Sequence, residues 1–172
     1  MKITEPNDRP RELIDQLVGV WECSVRVSHG FLSGADVERI EGYVPQAILG
    51  VEHLVVAYDA ARPLAFLGAN GPMLEVLFVD AGLRGHGIGS ALLRHGIDAL
   101  GVRELTVNEQ NPTTFAFYEA RGFRTVERLE TDDQGEPYPL LRMELVRVVF
   151  RGCSRLVGEG TPLHRTDRGH AL

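Results

Sequence analysis

The chain has 172 residues, of which 44% are hydrophobic and 24% charged, and it carries a formal net charge of −6 at pH 7. That composition suits one globular domain with a sizeable core, and the negative balance offers no field for nucleic acid or an acidic membrane. Cys23 and Cys153 match no metal or redox spacing, no apolar run reaches membrane-spanning length, and the N-terminus lacks a signal-peptide core. No metal is therefore expected, and the cytoplasm is the expected compartment.

In chain order, Lys2-Ile3-Thr4 reads as a short strand, followed by a turn bounded by Pro6 and Pro10. From Arg11, the apolar residues Leu13, Ile14, Leu17, Val18 and Trp21 recur at helical spacing, and the helix is expected to break at Gly30. Ser33 opens a second helix with Val37, Ile40 and Tyr43 toward the core, which ends at or near Pro45. Residues 51–58 read as a strand, 59–63 as a hairpin turn and 64–68 as the returning strand; Asn70-Gly71-Pro72 then turns the chain again.

The stretch from Leu74 to Leu93 carries the chemistry. Leu74 to Val79 is an apolar run with one acid, Glu75, and suits a largely buried strand. From Gly87 onward, Ile88, Ala91, Leu92, Gly96 and Ala99 fall at helical spacing, and Gly101 stops the helix. Between them, glycines at 82, 85, 87 and 89 let main-chain N–H groups converge at the start of a helix, which is an anion site. Arg84 adds a positive charge. The NTPase phosphate loop is excluded because no lysine is near, and the dinucleotide fingerprint fails because Ser90 or Leu92 stands where its last glycine is needed.

Further on, residues 104–107 read as a strand. Asn111-Pro112 then supplies an N-cap and a first-turn proline, and Gly122 ends a helix that carries Tyr118. Residues 123–130 and 140–149 read as closing strands joined by a polar turn. Beyond them the chain changes character: residues 150–172 contain four arginines against two acids, several glycines and no sustained periodicity, as in a loosely ordered basic tail.

Arg84-Gly85-His86-Gly87-Ile88-Gly89, an Arg-x-x-Gly-x-Gly pattern between strand and helix, resembles the coenzyme A pyrophosphate loop of the Gcn5-related N-acetyltransferase (GNAT) superfamily. Asn108 to Asn111, followed by Thr114-Phe115-Ala116-Phe117-Tyr118-Glu119-Ala120-Arg121-Gly122-Phe123, resembles that family's second signature, with Thr114 where alanine is usual. The segment from Asp132 to Leu141 is similar to a YjaB-like subgroup of small bacterial acetyltransferases. The resemblance covers residues 1–149, taken as a single domain. It implies an α/β (α+β) fold, with a mixed, mostly antiparallel sheet of six to seven strands, helices on both faces and a splay between two central parallel strands.

The activity implied is acetyl-CoA-dependent transfer of an acetyl group, by direct attack, to a primary amine of a small molecule or a protein. A transferase of longer acyl groups and a non-catalytic coenzyme A sensor are the alternatives. Backbone groups from Arg84 through Gly85, His86, Gly87, Ile88, Gly89 and Ser90 would hold the pyrophosphate. The strand Leu77-Phe78-Val79 would pair with the pantetheine arm, which Asn111 would also contact. A main-chain N–H near Val79 would polarise the carbonyl. Tyr118 corresponds to the family's general acid, and the unperturbed phenol and thiol differ by only about 1.5 pKa units. Glu75 shares a strand face with Leu77 and Val79, and is read as a base or an acceptor contact with Arg26 as an alternative ion-pair partner. Trp21, His29 and Phe31 lie on the acceptor side. The resemblance leaves a homodimer open.

Overall fold

In the computed structural model, which describes residues 1–28, 30, 33–132 and 135–146, thirteen stretches of regular structure follow one another. The N-terminal part comprises β1 (Lys2–Thr4), α1 (Arg11–Ser28), α2 (Gly34–Glu41) and α3 (Val44–Gly50). Three strands come next, β2 (His53–Asp59), β3 (Arg62–Asn70) and β4 (Met73–Val79), then a single 3-10 turn at Ala81–Leu83. The remainder is α4 (Ile88–Ala99), β5 (Glu104–Asn108), α5 (Pro112–Glu119), β6 (Phe123–Leu129) and β7 (Leu140–Leu145). The strands form one sheet in the order β1-β2-β3-β4-β5-β7-β6. Every pairing is antiparallel except β4 with β5.

Alternation along the inner strands builds a core on each face of that sheet. On β2, Leu54 and Val56 face one core while Val55 and Ala57 face the other; on β3, Phe66 stands against Leu67 and Ala69 in the same way. The first core is filled from α1, α2 and α3 by Leu13, Ile14, Leu17, Trp21, Val25, Val37 and Ile48. The second is filled mainly by Leu92 and Leu93 of α4, with Tyr118, Phe123 and Met143. The mixed, mostly antiparallel sheet with helices on both faces is therefore as the family resemblance implies.

Boundaries follow from local chemistry. Ser33 and Asp36 form a reciprocal capping box at the start of α2. Asn111 caps α5 by accepting the Thr114 amide at 3.1 Å, and Pro112 occupies the first turn, where its missing N–H is no loss. Gly101 and Gly122, with φ of 76° and 93°, take the left-handed conformation just past the ends of α4 and α5.

Pro45 does not end a helix but starts one: it sits in the first turn of α3, a helix absent from the sequence reading. The Arg9 guanidinium supports the far end of α3 by donating to the carbonyls of Ile48, Leu49, Val51 and Glu52. Tyr43, expected in the core with Val37 and Ile40, is 59% exposed because it precedes α3 and does not continue α2. The part of the last expected strand beyond residue 146, and the tail at 150–172, lie outside the described residues.

Two irregularities shape the centre. Leu74 pairs with Ala69 and Val76 with Gly68, so Glu75 is an extra residue, a β-bulge, on β4. On the other side, β4 meets β5 only at Met73 with Glu104 and Leu74 with Leu105. Beyond those two pairs the parallel strands part, as the family resemblance implies.

Candidate active site

Where β4 and β5 separate, a cavity of about 460 Å³ opens through the seam. Its walls come from both faces of the sheet: Ser24 of α1 on one side, and Ile88, Gly89, Ser90, Phe117, Tyr118 and Arg121 on the other. Leu77, Phe78 and Val79 line it along β4. These three pair with Leu67, Phe66 and Ala65 of β3, but on the β5 side they have no strand partner among the described residues. An extended, amide-bearing chain fits such an edge as an added strand would.

At one end of the seam lies the glycine turn. Asp80 anchors its start by accepting the Gly82 amide at 3.0 Å and the Arg62 guanidinium at 2.5 Å. Gly85 and Gly87 have φ of 79° and 80°, and a Cβ built on either meets nothing within 4 Å. The concave backbone is thus open, and it is held in a conformation that only glycine adopts without strain. Gly87 is also the N-cap of α4 and provides no side chain to satisfy the first-turn amides. Donors without intrahelical partners, an open cradle and the positive end of the helix dipole favour an anionic group of diphosphate size.

Tyr118 lines the same cavity although it is only 6% exposed. Its ring makes edge contacts with Phe117 and Phe123, at centroid distances of 5.1 and 5.8 Å. Burial pushes the phenol well above its ordinary range, partly offset by the nearby Arg121 guanidinium, so the hydroxyl keeps its proton through neutral pH. Asn111 is buried and lines the cavity while its side-chain oxygen caps α5.

Other expected site residues are placed differently. Arg84 lines the cavity, but its guanidinium donates to both the carbonyl and the hydroxyl oxygen of Ser24, each at 2.9 Å, and so ties the turn to α1. His86 is exposed, with its ring Nδ1 3.0 Å from the Arg84 carbonyl, and it does not line the cavity. Glu75 lines the cavity but is exposed and accepts the Asn70 side-chain amide at 3.0 Å. Arg26, considered as its ion-pair partner, bonds Glu22 instead at 2.7 Å. Trp21 is absent from the cavity; at 4% exposure it belongs to the core beneath α1. His29 and Phe31 lie outside the described residues.

Sequence reasoning missed Ser24, Thr106, Asn108, Thr113 and Arg121, all of which line the cavity. Arg121 follows the C-cap of α5 by one residue, where its guanidinium reaches back over the last turn. The Arg121 guanidinium lies 3.6 Å from the Phe117 ring centroid and donates to the Phe117 carbonyl and the Ser90 hydroxyl. Ser24 had no local signal, because its tie to Arg84 spans 60 positions.

Residues 31–146 match the model of an acetyltransferase (GNAT) domain. The chain is 35% identical over 129 residues to peptidyl-lysine N-acetyltransferase YjaB of Salmonella typhimurium, covering 75% of this chain and 89% of that protein. Among solved structures, apo-form YjaB from Escherichia coli superimposes with a TM-score of 0.76 at 34% identity, covering 85% of this chain and 99% of the other. The PaiA N-acetyltransferase from Thermoplasma acidophilum, in complex with coenzyme A, superimposes with a TM-score of 0.64 at 18% identity, covering 85% and 100%, and shares the fold.

Proposed function

The chain belongs to the GNAT acetyltransferase family, and from that premise we propose that it transfers the acetyl group of acetyl-CoA to a primary amine, in particular a lysine side chain of a protein. The observation that carries this reading is the seam, which opens a cavity to both faces of the sheet and places an uncapped helix start at one end. A cofactor reaching in from the α4 and α5 side would meet an acceptor entering from the α1 side. The lysine acceptor is taken from the YjaB relative, which aligns over most of both chains.

The cofactor supplies an activated acyl carbon as a thioester, and its parts suit the residues present. The turn from Arg84 to Ser90 would bind the diphosphate through main-chain amides, with the Gly85 and Gly87 cradle leaving room that any Cβ would narrow. Leu77 to Val79 would pair with the amides of the pantetheine arm, and Asn111 would contact the same arm. A main-chain N–H near Val79 would polarise the carbonyl.

Tyr118 would protonate the departing thiolate. Its burial keeps the phenol protonated and therefore able to donate. Glu75, exposed at the mouth and held by Asn70, would bind a cationic acceptor and accept its proton directly or through water.

The decisive experiment incubates the protein with acetyl-CoA and either a lysine-containing peptide, free lysine or small polyamines, following free-thiol release and the mass of the acceptor. Thiol release matched by acetylation of the peptide is the expected result. Cofactor binding without thiol release on any acceptor would favour a sensor. Faster turnover with a longer acyl donor would favour the other transferase reading.

A further inference from the structure

The arginine that the sequence singles out for the anion site also lines the cavity, but its Nη2 is tied to α1. Arg84 Nη2 donates to Ser24 on α1, on the opposite face of the sheet from α4. A second arginine stands at the start of α4. Arg121 lines the cavity, with Nη2 2.5 Å from Ser90 Oγ and Nη1 2.6 Å from the Phe117 carbonyl. Its guanidinium stacks on the Phe117 ring at 3.6 Å.

Ser90 lies in the first turn of α4, so this contact sets a full positive charge beside the amides that have no intrahelical partner. A guanidinium offers five N–H donors, and the contacts named here use two of them. Stacking fixes its plane in advance, so little side-chain freedom is lost when an anion arrives. The Ser90 oxygen accepts from Arg121, which leaves its hydrogen available to the same anion.

We propose that Arg121, and not Arg84, is the side-chain cation that grips the phosphate-bearing part of the cofactor, and that it makes the protein prefer coenzyme A over the bare pantetheine arm. This rests on reading the cavity as the coenzyme A site. Arg84 is then a positioning residue that holds the turn against α1.

Calorimetric titration of the full chain with coenzyme A and with pantetheine tests the assignment in wild type, Arg121→Gln, Arg121→Lys and Arg84→Gln. Loss of a charged hydrogen-bond donor should weaken coenzyme A binding in Arg121→Gln by roughly 10- to 100-fold, with pantetheine unaffected and Arg121→Lys partly restored. Arg84→Gln should lose less. The salt dependence of coenzyme A affinity should also flatten in Arg121→Gln, a change that a merely structural role would not produce. Undiminished coenzyme A affinity in Arg121→Gln, an equal loss for both ligands, an unaltered salt slope or a larger loss in Arg84→Gln would each overturn the proposal. A wild-type protein that binds no coenzyme A would overturn the reading of the cavity itself, and the proposal with it.

Discussion

Replacing Tyr118 with phenylalanine removes one oxygen and leaves the ring packed between Phe117 and Phe123. Among the described residues that hydroxyl has no hydrogen-bond partner, so stability should stay within about 1 kcal/mol of wild type. The rate should not. Unperturbed, proton transfer from the phenol to a departing thiolate is uphill by about 2 kcal/mol. Burial raises the phenol further, but a thiolate formed in the same cavity also loses solvation and becomes more basic, so the two shifts oppose each other. Without the donor, the thiolate must leave as an anion. Losing general-acid assistance typically costs a factor of roughly 10² to 10⁴, or about 3 to 5 kcal/mol. The assay is kcat by thiol release at saturating acetyl-CoA, alongside a thermal melt. The acid must hold its proton, and its pKa is raised, so any alkaline decline due to Tyr118 should lie above pH ~10. A Tyr118→Phe protein that melts normally and turns over at the wild-type rate would refute the assignment. A Tyr118-dependent limb near neutral pH would refute the burial argument.

Two further outcomes concern the frame around the site. A Cβ at Gly68 would lie 2.8 Å from Val76 and 2.9 Å from Val51, so Gly68→Ala should destabilise the protein by about 1 to 3 kcal/mol and lower Tm by several degrees. An unchanged Tm in calorimetry would mean that the two valines repack freely beside the bulge. Hydrogen bonds from Ser33 and Tyr138 hold the Asp36 carboxyl down to about 2. Its contribution to stability is therefore complete above the unfolded carboxyl's ~4 and lost as pH falls through about 2. Tyr138→Phe should lower the urea midpoint at pH 5, with the difference shrinking toward pH 2; a difference independent of pH would remove Asp36 from the account.

Much of this fold could be read from local chemistry. Glycines at 101 and 122, the Asn111-Pro112 pair and the apolar run before the glycine turn each act within a few residues, and the strand–turn–helix order followed from them. Trp21 was legible too. Its spacing from Leu13 and Leu17 marks the buried face of α1, which is where the structure places it. Pro45 was ambiguous because proline serves equally at a helix end and in a first turn, and α3 is too short to announce itself by periodicity. The bulge at Glu75 and the tie from Arg84 to Ser24 depend on partners elsewhere in the chain, and no local pattern encodes them. For that reason the glycine turn was legible in the sequence, whereas the partners of its arginine were not.

The two hydrogen bonds from Arg84 to Ser24 also have a mechanical meaning. They rivet the glycine turn to the C-terminal part of α1, whose apolar side carries the opposite core. Any displacement of the turn must either drag that helix along or shear the rivet.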